Sequence, residues 1–334
     1  MRRIAAIQTA AALITALAAA GSARAQTAPG GGSIWTFQVE NDAVSTLSGT
    51  SDQYYTSGLR LGWTSGADAV DFGSSVGHAV WGDGTTRVSL ELSQSLFTPR
   101  DTQLDPPNPD DRPYAGVLLL TGGLIHDSGS AQDLAALSLG VVGPAALGEI
   151  VQNGFHSIIG DTPNRGWHYQ IQDQAAFNLL LQHTWRLPVA DLGGVQIDVL
   201  PSGALAAGDV RDYVQLGGLA RIGQGLNSDY GPARIEPGLN GTDAYTPTAP
   251  LVWYVFAGVD GQAVGYDVTL DGSSFRNHSP SVDRNWDVGE LEGGLAAIWY
   301  GVRVSYTQTW QTQEFKGAKG GLFNFGSLAL SVGF

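Results

Sequence analysis

From Ile34 onward apolar and polar residues alternate in short runs. That period belongs to β-strands whose two faces meet different surroundings. In the first run Trp35, Phe37 and Val39 share one face, and Thr36, Gln38 and Glu40 share the other. Further runs begin near Tyr54, Val88, Gly116, Asp133, Tyr169, Val195, Val210, Leu251, Glu290 and Gly301. The last sets Leu328, Leu330, Val332 and Phe334 against Ser327, Ala329, Ser331 and Gly333. This rhythm predicts twelve strands, joined by loops rich in Gly, Asp and Pro. Two connections, Pro99 to Pro113 and Asn227 to Pro250, are long and polar.

One stretch breaks the rhythm. Between Gly140 and Asp161, Pro144 suits the first turn of a helix, where a missing N–H costs nothing. Leu147, Ile150, Val151, Phe155, Ile158 and Ile159 then recur at helical spacing, which predicts a short helix. Glu149, Gln152 and His156 lie three and four residues apart on the opposite face, so their side chains can converge. By itself such a pattern describes a surface helix with a solvated histidine. A functional reading needs other polar groups to meet it.

Alternation alone fits either a soluble β-sandwich or a membrane barrel. The beginning of the chain separates them. Arg2 and Arg3, an apolar stretch from Ile4 to Ala20, and Ala23-Arg24-Ala25 predict a secretory signal peptide over residues 1–25. A flexible leader over 26–33 and a barrel over 34–334 follow. There is no cysteine, so the exported chain owes nothing to disulfides. No apolar run past the signal is long enough for a transmembrane helix. The final alternating strand ends on an aromatic residue, Phe334, as outer-membrane barrels do. The fold predicted is all-β: a twelve-stranded antiparallel transmembrane β-barrel with a short helix in an extracellular loop, located in the bacterial outer membrane.

Charge narrows the partners. The chain has 17 basic and 31 acidic residues, and three of the basic ones fall in the signal. That acidity argues against nucleic-acid binding. Acidic loops facing anionic lipopolysaccharide would need divalent cations between them. A monomer is expected.

Three polar clusters exceed what a strand pattern requires: Glu40-Asn41-Asp42, Thr56-Ser57-Gly58, and Gln152 to His156. The up-and-down order brings all three to one mouth of the barrel. Singly, Asn41 and Asp42 are ordinary turn formers, Thr56 is ordinary in a strand, and Trp167 reads as an interfacial anchor. The other histidines, at 78, 126, 168, 183 and 278, have no metal-ligand spacing. A non-enzymatic pore or scaffold remains the competing reading.

These clusters, with Tyr55 to Gly58, Asp111 to Gly116, Gly140 to Pro144 and Gly166-Trp167, resemble the lipid A 3′-O-deacylase (LpxR) family of outer-membrane lipases. The resemblance spans nearly all of the mature chain. It implies calcium-dependent hydrolysis of the ester that holds the 3′-acyloxyacyl group on lipid A, with Asn41, Asp42, Thr56, Gln152 and His156 at the positions of site residues. His156 has the pKa range of a general base. No G-x-S-x-G elbow is present, so a His-activated water is the simpler nucleophile. Ca²⁺ would polarise the carbonyl and needs oxygen ligands, of which Asp42 and backbone carbonyls can supply some. Two positions depart from the family pattern. Thr162 stands where a glutamate follows the histidine by six residues, with Asp161 beside it as a substitute carboxylate. The basic pair after the third strand is replaced around Leu104 and Asp105, leaving Arg100 and Arg112 as the nearby cations for lipid A phosphates. An inactive family member is the third reading these departures allow.

Overall fold

A computed structural model describes residues 32–45 and 53–334 of the chain. The predicted signal peptide and most of the leader lie outside the described residues. Thirteen strand segments form one antiparallel sheet: β1 Ile34–Asn41, β2 Tyr54–Thr64, β3 Thr85–Thr98, β4 Ala115–Asp127, β5 Ala131–Val142, β6 Gln174–Trp185, β7 Leu187–Asp191, β8 Gln196–Gly208, β9 Arg211–Gln224, β10 Leu251–Asp267, β11 Asp287–Trp299, β12 Val302–Gln311 and β13 Phe323–Gly333. Both β6 and β7 pair with β8, so they are one wall strand broken at Arg186. The wall is therefore twelve-stranded. It closes where β1 pairs with β13, from Ile34↔Gly333 to Asn41↔Gly326. Closure pairs each strand's N–H and C=O groups with those of its neighbours, which is what a hydrocarbon environment demands.

The alternation sorts side chains as read from the sequence. Thr36, Gln38 and Glu40 are buried in the lumen, while Trp35 on the outward face is 48% exposed. Leu61, Leu90, Leu92, Leu120, Leu137 and Leu139 continue that exposed apolar belt across β2 to β5. Such a belt suits lipid and would be a liability in water. Trp35, Trp185, Trp253 and Trp299 cluster towards the rim at which β1 begins and β13 ends. The opposite rim carries loops 99–114, 143–173, 268–286 and 312–322 and is the extracellular one by the usual asymmetry of outer-membrane barrels.

Two features depart from the layout expected from the sequence. The connection 225–250, expected as a polar loop, is not on the surface. It enters from the periplasmic rim and fills the lumen. Arg221 holds Asp198 at 2.6 Å and Asp229 at 2.7 Å, Arg60 holds Asp243 at 2.9 Å, and Arg234 holds Glu290 at 2.8 Å. Its tip reaches the extracellular end of β9, where Arg211 meets Glu236 at 2.9 Å. A cavity of about 220 Å³ remains between this plug and the wall. Buried ion pairs contribute little net stability, but removing one partner strands a charge and costs about 3–5 kcal/mol.

The second feature is a helix, α1 Asp71–Trp81, in the β2–β3 connection. It was not among the predicted elements, although Phe72, Val76 and Val80 recur at helical spacing; Phe72 and Val80 are exposed and do not make the contact with the wall. The glycines are the contact face. A Cβ on Gly77 would come within 1.9 Å of Thr86 Oγ1, and one on Gly73 within 2.7 Å of Val88 Cγ2. Thr86 and Val88 alternate with inward residues, so α1 packs on the outside of the wall near the periplasmic rim. The predicted helix is also present, as α2 Gly148–Ile159. The strand expected from Tyr169 begins only at Gln174, because Gly166–Tyr169 forms a 3₁₀ turn.

Candidate active site

The wall half of the site lies at the extracellular ends of β1, β2 and β3. Asn41 ends β1 opposite Ser57 of β2, on the same side of the sheet as Phe37 and Val39. It therefore faces outward, where a lipid-facing residue would otherwise stand. Asp42 follows in a single 3₁₀ turn, Asp42–Val44, and is buried. Thr56 is the extra residue of a β-bulge: Tyr55 pairs with Phe97 and Ser57 with Leu96, and Thr56 has no partner between them. Strict alternation would send Thr56 into the lumen. The bulge re-aims it, as bulges near functional sites commonly do. Its hydroxyl lies 2.7 Å from the Thr98 hydroxyl, and its carbonyl accepts from Asn41 Nδ2 at 2.8 Å. Asn41, Thr56 and Thr98 thus form one hydrogen-bonded row across three strands.

The helix half lies over the same outer surface. Gly148 brings the start of α2 against the wall: a Cβ there would meet the Trp167 ring at 2.7 Å and Leu96 at 3.0 Å. Gly116 on β4 leaves room for Ala146 and for the backbone of Gly148. Gln94, also outward on β3, donates to Ala146 O at 2.6 Å. The strap after the helix is tied down by Arg165 N–H to Thr102 O at 3.0 Å and by Asn153, which brackets Asn164 through two bonds.

α2 turns its polar residues to the barrel wall. Gln152 and His156 are 5% and 6% exposed, whereas Ile150, Phe155 and Ile158 are 69%, 48% and 79% exposed. Polar residues face the wall and apolar residues face away. Glu149 is on the exposed side and does not join Gln152 and His156. Asn41, Thr56 and the start of α2 lie on the outer side of the wall at the extracellular rim, the rim to which the strand order brings all three clusters.

Each inward side chain is oriented. Gln152 Oε1 accepts from Trp167 Nε1 at 2.8 Å. Trp167 is fully buried between helix and wall with Leu96 and Tyr114, so it is a packing element of the site and not an interfacial anchor. His156 Nδ1 is 2.9 Å from Thr162 O. A carbonyl only accepts, so Nδ1 carries the proton and Nε2 is the basic nitrogen. The departure at position 162 is therefore met by the main chain, which needs no particular side chain. Asp161 is exposed, and its Oδ1 holds the Thr162 N–H at 2.7 Å.

The two arginines expected to meet substrate differ. Arg112 is buried beneath the extracellular loops. It pairs with Glu314, donates to Thr269 Oγ1 at 2.7 Å and lies 4.4 Å over the Phe97 ring. These contacts make it a strut between loops. Arg100 is exposed. Thr98 was missed, because a threonine closing a strand carries no signal of its own. Among the described residues no group of three or more His, Cys, Asp or Glu could hold a metal ion. The hard oxygens on this part of the wall are the Thr56 and Thr98 hydroxyls, 2.7 Å apart, and the Thr56 carbonyl, with the Asp42 carboxylate following Asn41 in the chain. They are hard donors of the kind calcium takes.

The family described as "Outer membrane protein LpxR" matches residues 9–334. Among solved structures, LpxR from Salmonella typhimurium superposes with a TM-score of 0.74 at 21% identity, covering 90% of this chain and 100% of that one. The β-domain of the Bordetella autotransporter BrkA has a TM-score of 0.43 at 11% identity, covering 91% of this chain and 99% of that one. No curated protein matches the chain.

Proposed function

This chain belongs to the LpxR family of outer-membrane proteins, a membership that supports lipid A deacylation in general terms, and we propose that it hydrolyses the ester linking the 3′-acyloxyacyl group to lipid A. The observation that carries this reading is the polar burial under α2: Gln152 and His156 are turned to the outer wall and buried, at the same extracellular rim as the row of Asn41, Thr56 and Thr98. Exposed Ile150, Phe155 and Ile158 are what a helix facing lipid shows, as Phe72 and Val80 of α1 also do, whereas packing alone gives no reason to bury an imidazole and an amide.

In this reading His156 is the general base. Thr162 O fixes its tautomer; Nε2 takes a proton from water as the water attacks the ester carbonyl, and returns it to the sugar 3′-oxygen as the acyl C–O bond breaks. Gln152, held through Oε1 by Trp167, offers its Nε2 hydrogens to the developing oxyanion. Asn41 and Thr56 shape the wall side against which the ester lies. A calcium ion would be held by Asp42 with the threonine oxygens, and when bound it supplies charge that polarises the carbonyl. We place that ligand role on Asp42 before Asp161, which stands exposed and already holds the Thr162 N–H.

The position of the site suits an amphiphile. It opens on the side of the barrel that lipid covers, next to the apolar belt, and the exposed face of α2 offers Ile150, Phe155 and Ile158 to acyl chains. A pore finds less support, because the lumen is occupied by residues 225–250 and their ion pairs. The test is mass spectrometry of lipid A from cells that express the chain or His156→Ala in calcium-containing medium. Loss of one acyloxyacyl group with the unaltered chain alone is expected. Unchanged lipid A in both, with folded protein in the outer membrane, would sink the proposal.

A further inference from the structure

We propose that Glu40 is a positioning residue for the wall half of the site, and that the lumen plug acts on the site through it; this rests on the hydrolase reading above. Glu40 directly precedes Asn41, and alternation turns its side chain to the opposite side of the wall. There it is fully buried. Its Oε1 accepts from Ile235 N–H at 2.9 Å and from Gln38 Nε2 at 3.1 Å. Its Oε2 accepts from Glu236 N–H at 3.0 Å and from the Tyr55 hydroxyl at 2.9 Å. One carboxylate thus collects four donors: two main-chain N–H groups of the plug tip, one side chain of β1 and one of β2.

The identity of the β2 donor matters most. Tyr55 directly precedes Thr56, the unpaired residue of the bulge. A bulge residue is not held laterally by the ladder, so neighbouring anchors decide where it sits. Tyr55 is such an anchor. Its ring is packed against Phe97 and Phe325, with centroids 5.5 and 5.1 Å away, and its hydroxyl passes over Gly58, where a Cβ would come within 2.0 Å. Glu40 therefore ties β1 to β2 on the lumen side, immediately behind Asn41 and Thr56 on the lipid side. The plug tip completes the tie, since both of its N–H groups point at this carboxylate.

The substitution Glu40→Gln keeps the shape but puts an NH₂ group where two donors converge, so one of the oxygen positions fails. Tyr55→Phe removes only the hydroxyl. The experiment measures kcat and KM of the purified full-length protein on lipid A in detergent micelles with calcium, for Glu40→Gln, Tyr55→Phe, Asp198→Asn and His156→Ala. Asp198→Asn removes a carboxylate that pairs two wall strands, β8 and β9, near the periplasmic rim, where Asp198 meets Arg221, and leaves Glu40 and the plug tip untouched. Misplacing wall groups should lower kcat about tenfold or more in the first two variants, with KM within about twofold. Asp198→Asn should lower the heat-unfolding midpoint and keep kcat. Unaltered kcat in Glu40→Gln and Tyr55→Phe, or activity lost only in proportion to unfolded protein, overturns the proposal. Activity retained by His156→Ala overturns the hydrolase reading itself, and is seen independently of the other variants.

Discussion

Two helices rest on the same two wall strands, at opposite ends. On the periplasmic side α1 meets β3 and β4 through Gly73 and Gly77, so little more than backbone separates helix from wall. On the extracellular side α2 begins the same way, with Gly148 against Trp167 and Leu96, and then departs. One and two turns on it buries Gln152 and His156. Burying a polar side chain is unfavourable unless each is met by a partner. The structure supplies those partners in Trp167 Nε1 and Thr162 O. Polar groups are buried beneath both helices, but under α1 they belong to the wall, where Thr86 Oγ1 lies 3.0 Å from His126 Nδ1 under the Trp81 ring. Under α2 they belong to the helix itself, and that sets the second helix apart.

Four changes separate the two helices by experiment. The largest effect is expected from His156→Ala, which should lower deacylation by about 10²–10⁴-fold, the range of a general base. The same change at the exposed His78 of α1 should leave the rate unaltered, as mass spectrometry of product lipid A would show. Chelation comes next. If calcium polarises the ester, EDTA should remove several kcal/mol of transition-state stabilisation, at least a hundredfold in rate, and added Ca²⁺ should restore it. Retained activity in EDTA would leave the site working on side chains alone. Third, Gly148→Val should push α2 from the wall and cost about 1–3 kcal/mol along with most activity. Gly77→Val should cost a similar amount of stability, read by heat-dependent gel mobility, with activity per folded molecule retained. The smallest effect is expected from Phe155→Ser with Ile158→Ser. These side chains are already exposed, so stability should shift within about 0.5 kcal/mol. Apparent KM on membrane-embedded lipid A should nonetheless rise severalfold if this face meets acyl chains.

The lumen offers a second contrast, between charges on strands and charges on a loop. Glu40, Asp198 and Arg303 were legible as inward because each sits in an alternating run. Asp229, Arg234, Glu236 and Asp243 were not, because a polar loop has the same composition whether water or a ring of opposite charges surrounds it. Arg60, Arg211, Arg221 and Arg303, from β2, β9 and β12, are the partners of the three acids, and Glu290 and Glu292 of β11 are those of Arg234. No local pattern records such a pairing.

Strand count, the side of the wall on which each regular position falls, the existence of α2 and the shared face of Gln152 and His156 can all be read without coordinates. They follow from periods of two and about 3.6 residues, which are local geometry. Which face of α2 turns inward needed the folded chain, since a helix's two faces are equally legible and the surroundings choose between them. The fold also decided that the clusters meet outside the wall, because that depends on a single extra residue at Thr56 that shifts the β2–β3 register. And it decided that Thr162 serves His156 through its carbonyl, a main-chain contact that every residue type can make and no side-chain pattern can announce.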